Sequence, residues 1–345
     1  MTGKGCTRRQ LLGGLTLLGG ACAMPGQGWA ADAFPHDVTL MVAGPVGGAL
    51  DQAARAMVPG LLAGLPPNTA LVRRPIGGLD GVSGANSFMV DATLDGGTAL
   101  LVPGAASLAW LAGDSRVHFD PSRWLAVMAS TIPGFLVVRD ATRIVPGRPA
   151  RVASQGAVSP SLAALLGLDL LGARVYPVGG LADTEAALAA LDEGSVDAVL
   201  LRGNGTMARL AQSDGRFRPL CTLGTPQAGG GLARDRLAPS VPTLAEYAVT
   251  VDSPLPRGPK YDAWLCAAGA AQLRYTLVLP SLIPAAAVAI WRNAGAQAVS
   301  GSLNASVNIM LASAAAALLR ALSPGGAALL ELRTWLAERL GWRPG

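Results

Sequence analysis

Strand-like segments and segments with helical spacing of apolar residues follow one another along this chain. In the first third, strands are predicted at residues 38–42, 70–72 and 99–102. The first two are each followed by a helical segment, and Pro59 and Gly60 are expected to kink or end the first of these helices, at 50–62. Such alternation is typical of βαβ units that build a parallel sheet.

A second set of alternating segments begins after residues 135–138. It contains strands predicted at 151–153, 174–176 and 198–201, helices at 160–170 and 184–191, and a segment at 219–222 expected to return to the first lobe. From residue 283 onward the chain is expected to be mostly helical. Because 345 residues exceed what one hydrophobic core usually supports, two lobes are predicted. Lobe 1 is expected to comprise 34–139 plus 223–345, and lobe 2 to comprise 140–222.

Residues 1–33 have the composition of an export signal. Lys4, Arg8 and Arg9 precede a short apolar stretch at 11–23, and small residues allow cleavage between about residues 30 and 33. The adjacent arginines resemble a twin-arginine motif, and an ordinary Sec signal fits the same residues. Either signal predicts a periplasmic protein.

The charge and hydropathy of the chain after the signal argue against a nucleic-acid partner and against a membrane-spanning segment. Removing three basic residues, with no acidic residue before Asp32, lowers the formal net charge from +5 to +2. No cluster of Lys and Arg with interleaved aromatic residues occurs, so nucleic acid is not an expected partner. Past the signal, no apolar run reaches the ~18 residues that a membrane span needs. A soluble mature protein is therefore expected.

Residues that could support catalysis or metal binding are few. His36 and His118 are the two histidines, and neither has a metal-ligand partner at useful spacing. No zinc-protease, C-x-x-C or nucleophile-elbow motif occurs. We therefore predict no enzyme, no metal site and no cofactor. Outside the signal, Cys221 and Cys266 could form a bridge or remain two buried free thiols, and their spacing does not decide between these states.

The first glycine-rich turn directly follows a strand and opens a helix. Its sequence GPVGGALD, at residues 44–51, lets the backbone turn sharply and approach a ligand closely. The first amides of a helix have no intrahelical partner and carry partial positive charge, which suits an anion. The predicted ligand contacts are Val46, Gly47, Gly48 and Ala49. An ordinary strand–helix turn is the alternative.

The second glycine-rich turn, PIGGLDGVSGAN at residues 75–86, occurs in the same context after the next strand. Two such turns in one parallel sheet open at its carboxyl edge, where these sheets bind ligands. Ligand contacts are expected at Gly81, Val82, Ser83 and Gly84. Glycines that serve only packing are the alternative.

The order of several motifs resembles the solute receptors of tripartite tricarboxylate transporters, the TctC or Bug family. That family shows a P-x-G-G-x-x-D turn, an arginine on the following helix, a glycine-rich turn and then D-G-y-T-L. The corresponding residues here are PVGGALD at 45–51, Arg55, 77–84, and DGGTAL at 95–100. Later motifs follow in order as FDP at 119–121, PVGG at 177–180, EGSVD at 193–197 and VPTLAE at 241–246. The resemblance spans residues 35 to about 250.

The resemblance implies an α/β fold of the type II periplasmic-binding-protein kind. Two lobes, each a mixed or parallel sheet flanked by helices, would enclose a ligand cleft and close around a carboxylate held mainly by backbone amides and ordered waters. The second lobe would contribute Ser154, Gln155, Ser159, Val178, Gly179, Gly180 and Asp183. The expected partners are a small organic anion and either membrane transporter subunits or a sensor kinase, with the receptor itself a monomer.

Three departures from the family pattern leave the ligand unidentified. Gly44 replaces an aromatic residue, Val178 and Gly179 replace Tyr and Lys, and no asparagine precedes the second turn. A sensor or scaffold of the same fold, or a secreted enzyme, remains an alternative function.

Four charged side chains carry separate predictions. Asp51 is expected to cap or tie down its helix rather than touch an anionic ligand. Arg73, Arg74 and Arg202 could pair with a distal carboxylate, or be ordinary surface arginines.

Overall fold

The structure is a computed structural model that describes residues 34–181, 183–226, 232–302 and 308–343. The predicted export signal at 1–33 lies outside the described residues. The strands are β1 (Asp37–Ala43), β2 (Ala70–Ile76), β3 (Thr98–Val102), β4 (Trp124–Thr131), β5 (Gly134–Arg139), β6 (Pro149–Ala153), β7 (Arg174–Val178), β8 (Val199–Arg202), β9 (Phe217–Thr222), β10 (Thr225–Pro226), β11 (Leu232–Ala233), β12 (Leu273–Pro280) and β13 (Asn308–Leu311).

Eleven α-helices lie between or after these strands in the described part of the chain. They are α1 (Ala49–Gly64), α2 (Val82–Asp91), α3 (Gly104–Ala112), α4 (Ser161–Leu170), α5 (Thr184–Glu193), α6 (Thr206–Ala211), α7 (Leu244–Thr250), α8 (Pro259–Gln272), α9 (Ala285–Ser302), α10 (Ala312–Ala321) and α11 (Gly326–Leu340). A short 3-10 helix at Pro121–Arg123 precedes β4.

The first sheet has six strands in the order β13-β4-β12-β3-β1-β2. Strand β1 is parallel to both of its neighbours, and Leu40 lies opposite Arg73 on one side and Ala99 on the other. Strand β12 pairs antiparallel with β3 and β4, and β13 pairs antiparallel with β4. The three parallel strands predicted in the first third of the chain are therefore confirmed, within a mixed sheet.

The middle of the chain forms a separate set of strands. Strand β5 lies between β8 and β9, antiparallel to both. Strands β6 and β7 form a parallel pair, and a bridge between Val152 and Ala198 connects this pair to the start of β8. The chain therefore changes sheet between Thr131 and Gly134, before the predicted boundary at 139, because β5 already pairs with β8 and β9. The division into lobes at residues 139 and 222 stays a prediction.

Helices α1 and α9 pack closely on one face of the first sheet through small residues. A Cβ on Gly60 would lie 2.4 Å from the Cα of Ala298, and one on Gly64 would lie 2.5 Å from the Cα of Ala294. Of the two outcomes expected at Pro59, an end of the helix is wrong, because α1 continues past this residue to Gly64, and a kink stays a prediction. Gly60 and Gly64 follow Pro59 and have no Cβ, so they allow α1 to contact α9 closely.

Helix α8 was not predicted from the sequence, and it lies in the centre of the molecule. Ten of its 14 residues are buried, half of them alanine, so it shows no polar face that periodicity could detect. Its Trp264 is fully buried and donates through Nε1 to the carbonyl of Ala163 on α4, at 3.1 Å. Gly167 lies on α4, and a Cβ there would lie 2.7 Å from the indole nitrogen of Trp264. Helix α8 thus joins α4 to the elements that cover the first sheet.

Two further sequence questions are answered by the described residues. Cys221 and Cys266 are both free and buried, so they do not form a disulfide. No single described helix has the length and apolar character of a membrane span, although the bent pair α10 and α11 meets those two criteria together.

Candidate functional site

The first glycine turn is held in place by its own hydrogen bonds. Gly47 has a φ of +75°, which favours glycine, and its amide donates to Oδ2 of Asp51 at 2.8 Å. The amide of Gly48 donates to the carbonyl of Pro45 at 3.1 Å. These two amides are therefore already satisfied, contrary to the expectation that they would be open to a ligand. The amides of Ala49 and Leu50, at the start of α1, have no acceptor among the described residues.

Asp51 is the residue that fixes this turn, as predicted. Its side chain is fully buried and accepts hydrogen bonds from Gly47, from Nη2 of Arg55 at 3.0 Å and from Nη1 of Arg73. Arg74 pairs with Asp91 at 3.4 Å. Arg73 and Arg74 therefore already have carboxylate partners within the protein, and the suggestion that they bind a distal ligand carboxylate gains no support.

The second glycine turn packs against its neighbours at Gly81 and Gly84, whereas its tip at residues 77–79 is exposed. Gly81 has a φ of +76°, and a Cβ there would lie 2.5 Å from Cδ of Pro103. A Cβ on Gly84 would lie 2.5 Å from the Cα of Ala43. Val82 is buried, and Ser83 is exposed. The glycines therefore serve close packing of α2 on β1, which was the alternative considered from the sequence.

A cavity of about 150 Å³ opens at the carboxyl ends of β1, β2 and β3. The turns after these three strands all contribute to it, as expected for ligand binding in a parallel sheet. Its lining residues are Ala43, Gly44, Pro45, Ala49, Leu50, Leu79, Pro103, Arg274 and Tyr275. Of the predicted contacts in this half of the site, Ala49 lines the cavity, whereas Val46, Gly47, Gly48, Gly81, Val82, Ser83 and Gly84 do not.

Arg274 is a site residue that the sequence did not reveal. On β12, Leu273 lies opposite Thr131 and Tyr275 lies opposite Ser130, so Arg274 is an extra residue in a β-bulge. Bulges redirect side chains and are frequent beside functional sites. Arg274 is exposed, and no carboxylate in the described chain lies within ion-pair distance of it. A bulge depends on the pairing of distant strands and has no local sequence signal here.

A second cavity, of about 270 Å³, lies at the ends of β6, β7 and β8. The N-terminal turns of α4 and α5 contribute to its wall, where helix amides favour an anion. The lining residues are Ala153, Ser154, Gln155, Pro160, Ser161, Leu181, Asp183, Thr184, Ala187, Val199, Leu200, Leu201 and Arg202. The predicted contacts Ser154, Gln155 and Asp183 are therefore brought together.

The other predicted contacts of the second half do not line this cavity. Ser159 is buried and donates to the carbonyl of Gly156 at 2.7 Å, and its hydroxyl lies 2.6 Å from that of Ser161. The carbonyl of Val178 accepts from the amide of Ser154 at 2.9 Å. Gly179 and Gly180 are exposed. Asp183 has a structural role as well, because its Oδ1 caps α5 by accepting from the amide of Ala186 at 2.9 Å.

Arg202 is the positively charged residue that lines the second cavity. Its Nη1 donates to the carbonyl of Ala271 at 2.7 Å, and it has no ion pair with any carboxylate that the structure describes. Part of the residue stays accessible to solvent, and desolvation of the guanidinium lowers its pKa below the ordinary value. A desolvated arginine without a carboxylate partner gains most from an incoming anion.

The corner between α8 and β12 connects the two cavities. Arg202, which lines the second cavity, donates to the carbonyl of Ala271 at this corner. Arg274, three residues further along the chain, lines the first cavity. Between them, Gln272 accepts from the amide of Ile132 through its carbonyl at 2.9 Å and donates through Nε2 to the carbonyl of Gly224 at 2.8 Å. Ile132 lies on the first connection between the two sets of strands, and Gly224 and Gln272 lie near the two ends of the second, so both connections meet at Gln272.

Comparison with solved structures relates this architecture to a known fold. A TctC solute-binding protein from Polaromonas, in a structure without ligand, has a TM-score of 0.63 and 18% sequence identity, over 88% of this chain and 98% of the other. This chain has the fold of the TctC solute-binding proteins. The two-lobed α/β fold predicted from the sequence is therefore confirmed.

The TctC fold is also shared by two ligand-bound structures. MatC from Rhodopseudomonas palustris with bound malate has a TM-score of 0.51 and 20% identity, over 89% of this chain and all of MatC. An R. palustris protein with adipate has a TM-score of 0.50 and 16% identity, over 88% of this chain and 97% of the other. No protein-family model and no curated protein matches the sequence.

Proposed function

We propose that this chain is an exported receptor that captures a small carboxylate metabolite between its two cavities and delivers it to a transporter in the membrane. The observation that supports it best is the pair of cavities at strand ends, each lined by an arginine that has no carboxylate partner in the part of the chain that the structure describes. Arg202 and Arg274 flank the same corner of the chain, so one ligand held there would touch both halves of the molecule. Guanidinium groups match carboxylates in shape and charge.

The similar structures support the ligand class. MatC contains malate and the second R. palustris protein contains adipate, both of which are dicarboxylates. In this proposal, the carboxylate accepts from the amides of Ala49 and Leu50 or from one of the two arginines. Closure of the two halves around it would then be the state that a membrane transporter recognises. The predicted signal at 1–33 would place the receptor in the periplasm.

A binding function rather than catalysis is also part of the proposal. Neither His36 nor His118 lines either cavity. The residues that line them offer cations, hydroxyl groups and helix amides, which can hold an anion in place, and the one lining carboxylate, Asp183, already accepts from the amide of Ala186. Turnover of a bound carboxylate would contradict this part of the proposal, and mass spectrometry of the recovered ligand detects it.

Thermal unfolding of the mature chain, residues 34–345, tests the proposal. At one hundred times its dissociation constant, a carboxylate adds about 2.7 kcal/mol to the free energy of unfolding. For a chain of this size, that raises the Tm by about 4 °C. The panel contains small dicarboxylates, tricarboxylates, aromatic acids and acidic amino acids, each beside its neutral amide. Stabilisation by acids but not by their amides is expected, and no response to any acid would contradict a carboxylate receptor.

A further inference from the structure

We propose that Arg274 and the nonpolar wall of the first cavity select carboxylates that have a nonpolar carbon body over hydroxylated ones. This inference rests on the proposed function and narrows its ligand class. It concerns the cavity at the ends of β1, β2 and β3, where the described residues offer a ligand one arginine without a carboxylate partner and almost no other polar side chain.

The bulge gives Arg274 its position. Leu273 and Tyr275 keep their pairing with β4, so the inserted residue between them stands outside the ladder. Its guanidinium carbon lies 5.7 Å from the ring centroid of Tyr275, whose side chain is only 1% exposed. The guanidinium thus rests against a fixed aromatic ring and faces the cavity rather than an acidic side chain.

The contrast with Arg73 shows why this cation remains available. Arg73 lies on β2 of the same sheet, but the buried carboxylate of Asp51 neutralises it. Within the described residues, Arg274 has no such partner. An arginine kept beside a cavity without a counterion favours an anion from solution, and a carboxylate can accept two parallel hydrogen bonds from it.

The rest of the cavity wall is nonpolar. Apart from Arg274 and Tyr275, its residues are alanine, glycine, proline and leucine, and none has a side chain that donates or accepts a hydrogen bond. The volume of about 150 Å³ is comparable to that of an apolar cavity that holds a six-carbon ring. The amides of Ala49 and Leu50 can serve the ligand carboxylate beside Arg274, so a hydroxyl group elsewhere on the ligand body would face nonpolar side chains and lose its water partners without replacement, which is unfavourable.

Leu79 is the part of this wall that most clearly suggests contact with a ligand. It lies at the tip of the second glycine turn, lines the cavity and is 83% exposed. The turn that carries it is fixed, because Asp80 pairs with Arg116 at 2.8 Å and Arg116 also binds Asp114. A large apolar side chain held open at a cavity mouth can cover the nonpolar body of a bound molecule.

Isothermal titration calorimetry of residues 34–345 with two matched acids tests the inference. The probes are cyclohexanecarboxylate and 3,4,5-trihydroxycyclohexanecarboxylate, which share a ring and a carboxylate and differ only in hydroxyl groups. We expect cyclohexanecarboxylate to bind at least about ten-fold more tightly, because the hydroxyl groups of the other acid would be buried without hydrogen-bond partners. Equal affinity, or tighter binding of the hydroxylated acid, would overturn the inference.

Variants separate the roles of the cation and of the wall. Arg274→Gln should weaken both acids by about ten- to a hundred-fold, and Arg274→Lys should recover part of the loss. Arg292→Gln, an exposed arginine on α9, is the matched control and should change neither affinity. Leu79→Ser should weaken the nonpolar acid alone and bring the two affinities within about three-fold of each other. Unchanged affinities in Arg274→Gln, or unchanged selectivity in Leu79→Ser, would overturn the inference.

The inference and the proposed function fail in different ways. Malate and adipate are titrated into the unsubstituted protein in the same series. If one of these binds while the cyclohexane acids show no preference or no dependence on Arg274, the selectivity is wrong and the carboxylate receptor stands. If no acid of any kind binds, both are wrong.

Discussion

The backbone amide of Gly47 donates a 2.8 Å hydrogen bond to the buried carboxylate of Asp51. This contact closes the first glycine turn on itself, and Arg55 and Arg73 complete the set of donors around the same carboxylate. The turn is therefore shaped before any ligand arrives. The free amides at the start of α1, together with Arg274, remain to receive one.

Replacement of Asp51 tests how strongly this turn is held. Asp51→Ala leaves the Arg73 guanidinium and the Gly47 amide without their acceptor. The free energy of unfolding should therefore fall by about 3–5 kcal/mol, measured by urea unfolding. Arg55→Ala, which removes only an exposed i,i+4 pair, should cost less than about 1 kcal/mol. Similar losses from the two substitutions would show that Asp51 does not organise the turn.

The packing role of the second turn can be separated from ligand contact with two glycines. In Gly84→Ala the new Cβ meets the Cα of Ala43, so stability should fall by about 1–3 kcal/mol. In Gly78→Ala the nearest atom is Asp80 Oδ1 at 3.8 Å, so stability should change little. The dissociation constant for the ligand should stay the same in both folded variants. Loss of binding in Gly84→Ala without loss of stability would instead assign this glycine to the ligand site.

Arg202 is expected to bind ligand and to contribute little to stability. Arg202→Gln removes the charge but keeps a donor for the carbonyl of Ala271. The affinity for a carboxylate should fall by about 1.5–3 kcal/mol, which is roughly ten- to a hundred-fold, in a calorimetric titration. Arg209→Gln, which breaks an exposed pair with Glu185, is the matched control and should keep full affinity. A normal dissociation constant for Arg202→Gln would remove the second cavity from the site.

Cys221 and Cys266, the two cysteines of residues 34–345, should be inert when that chain is folded. Burial raises the pKa of Cys221 well above its usual range, and burial, followed by the charge of Asp262, raises the pKa of Cys266 to about 12. Both thiols therefore stay protonated at pH 8, and alkylation by iodoacetamide should require unfolding in urea. Intact-mass measurement should count two modified thiols in urea and none in buffer. Modification in buffer, or a missing thiol in urea, would contradict the buried free state.

The sequence was most informative where local signals and packing agree. The alternation around β1, α1, β2, α2 and β3 predicted the parallel part of the first sheet, and the position of Asp51 in its turn predicted its role. Two features gave no such signal. Most residues of helix α8 are buried, so its apolar residues show no helical period, and the bulge at Arg274 depends on pairing with β4, more than 140 residues earlier.

Glycine was the residue type that was hardest to interpret. Gly81 and Gly84 allow close packing against Pro103 and Ala43, while Gly47 allows a positive φ. Both uses leave the same pattern in a sequence, because each requires only the absence of a Cβ. The arginines were equally ambiguous, since Arg73 and Arg202 both follow the strands predicted at 70–72 and 198–201, and only the fold gives Arg73 a carboxylate partner.

A crystal structure of residues 34–345 with the tightest-binding carboxylate is the most direct test. The account predicts that the ligand lies between the two cavities, with a carboxylate oxygen about 3 Å from the guanidinium of Arg202 or Arg274. Density for the carboxylate at another surface, with both arginines untouched and both cavities filled by protein side chains, would contradict it.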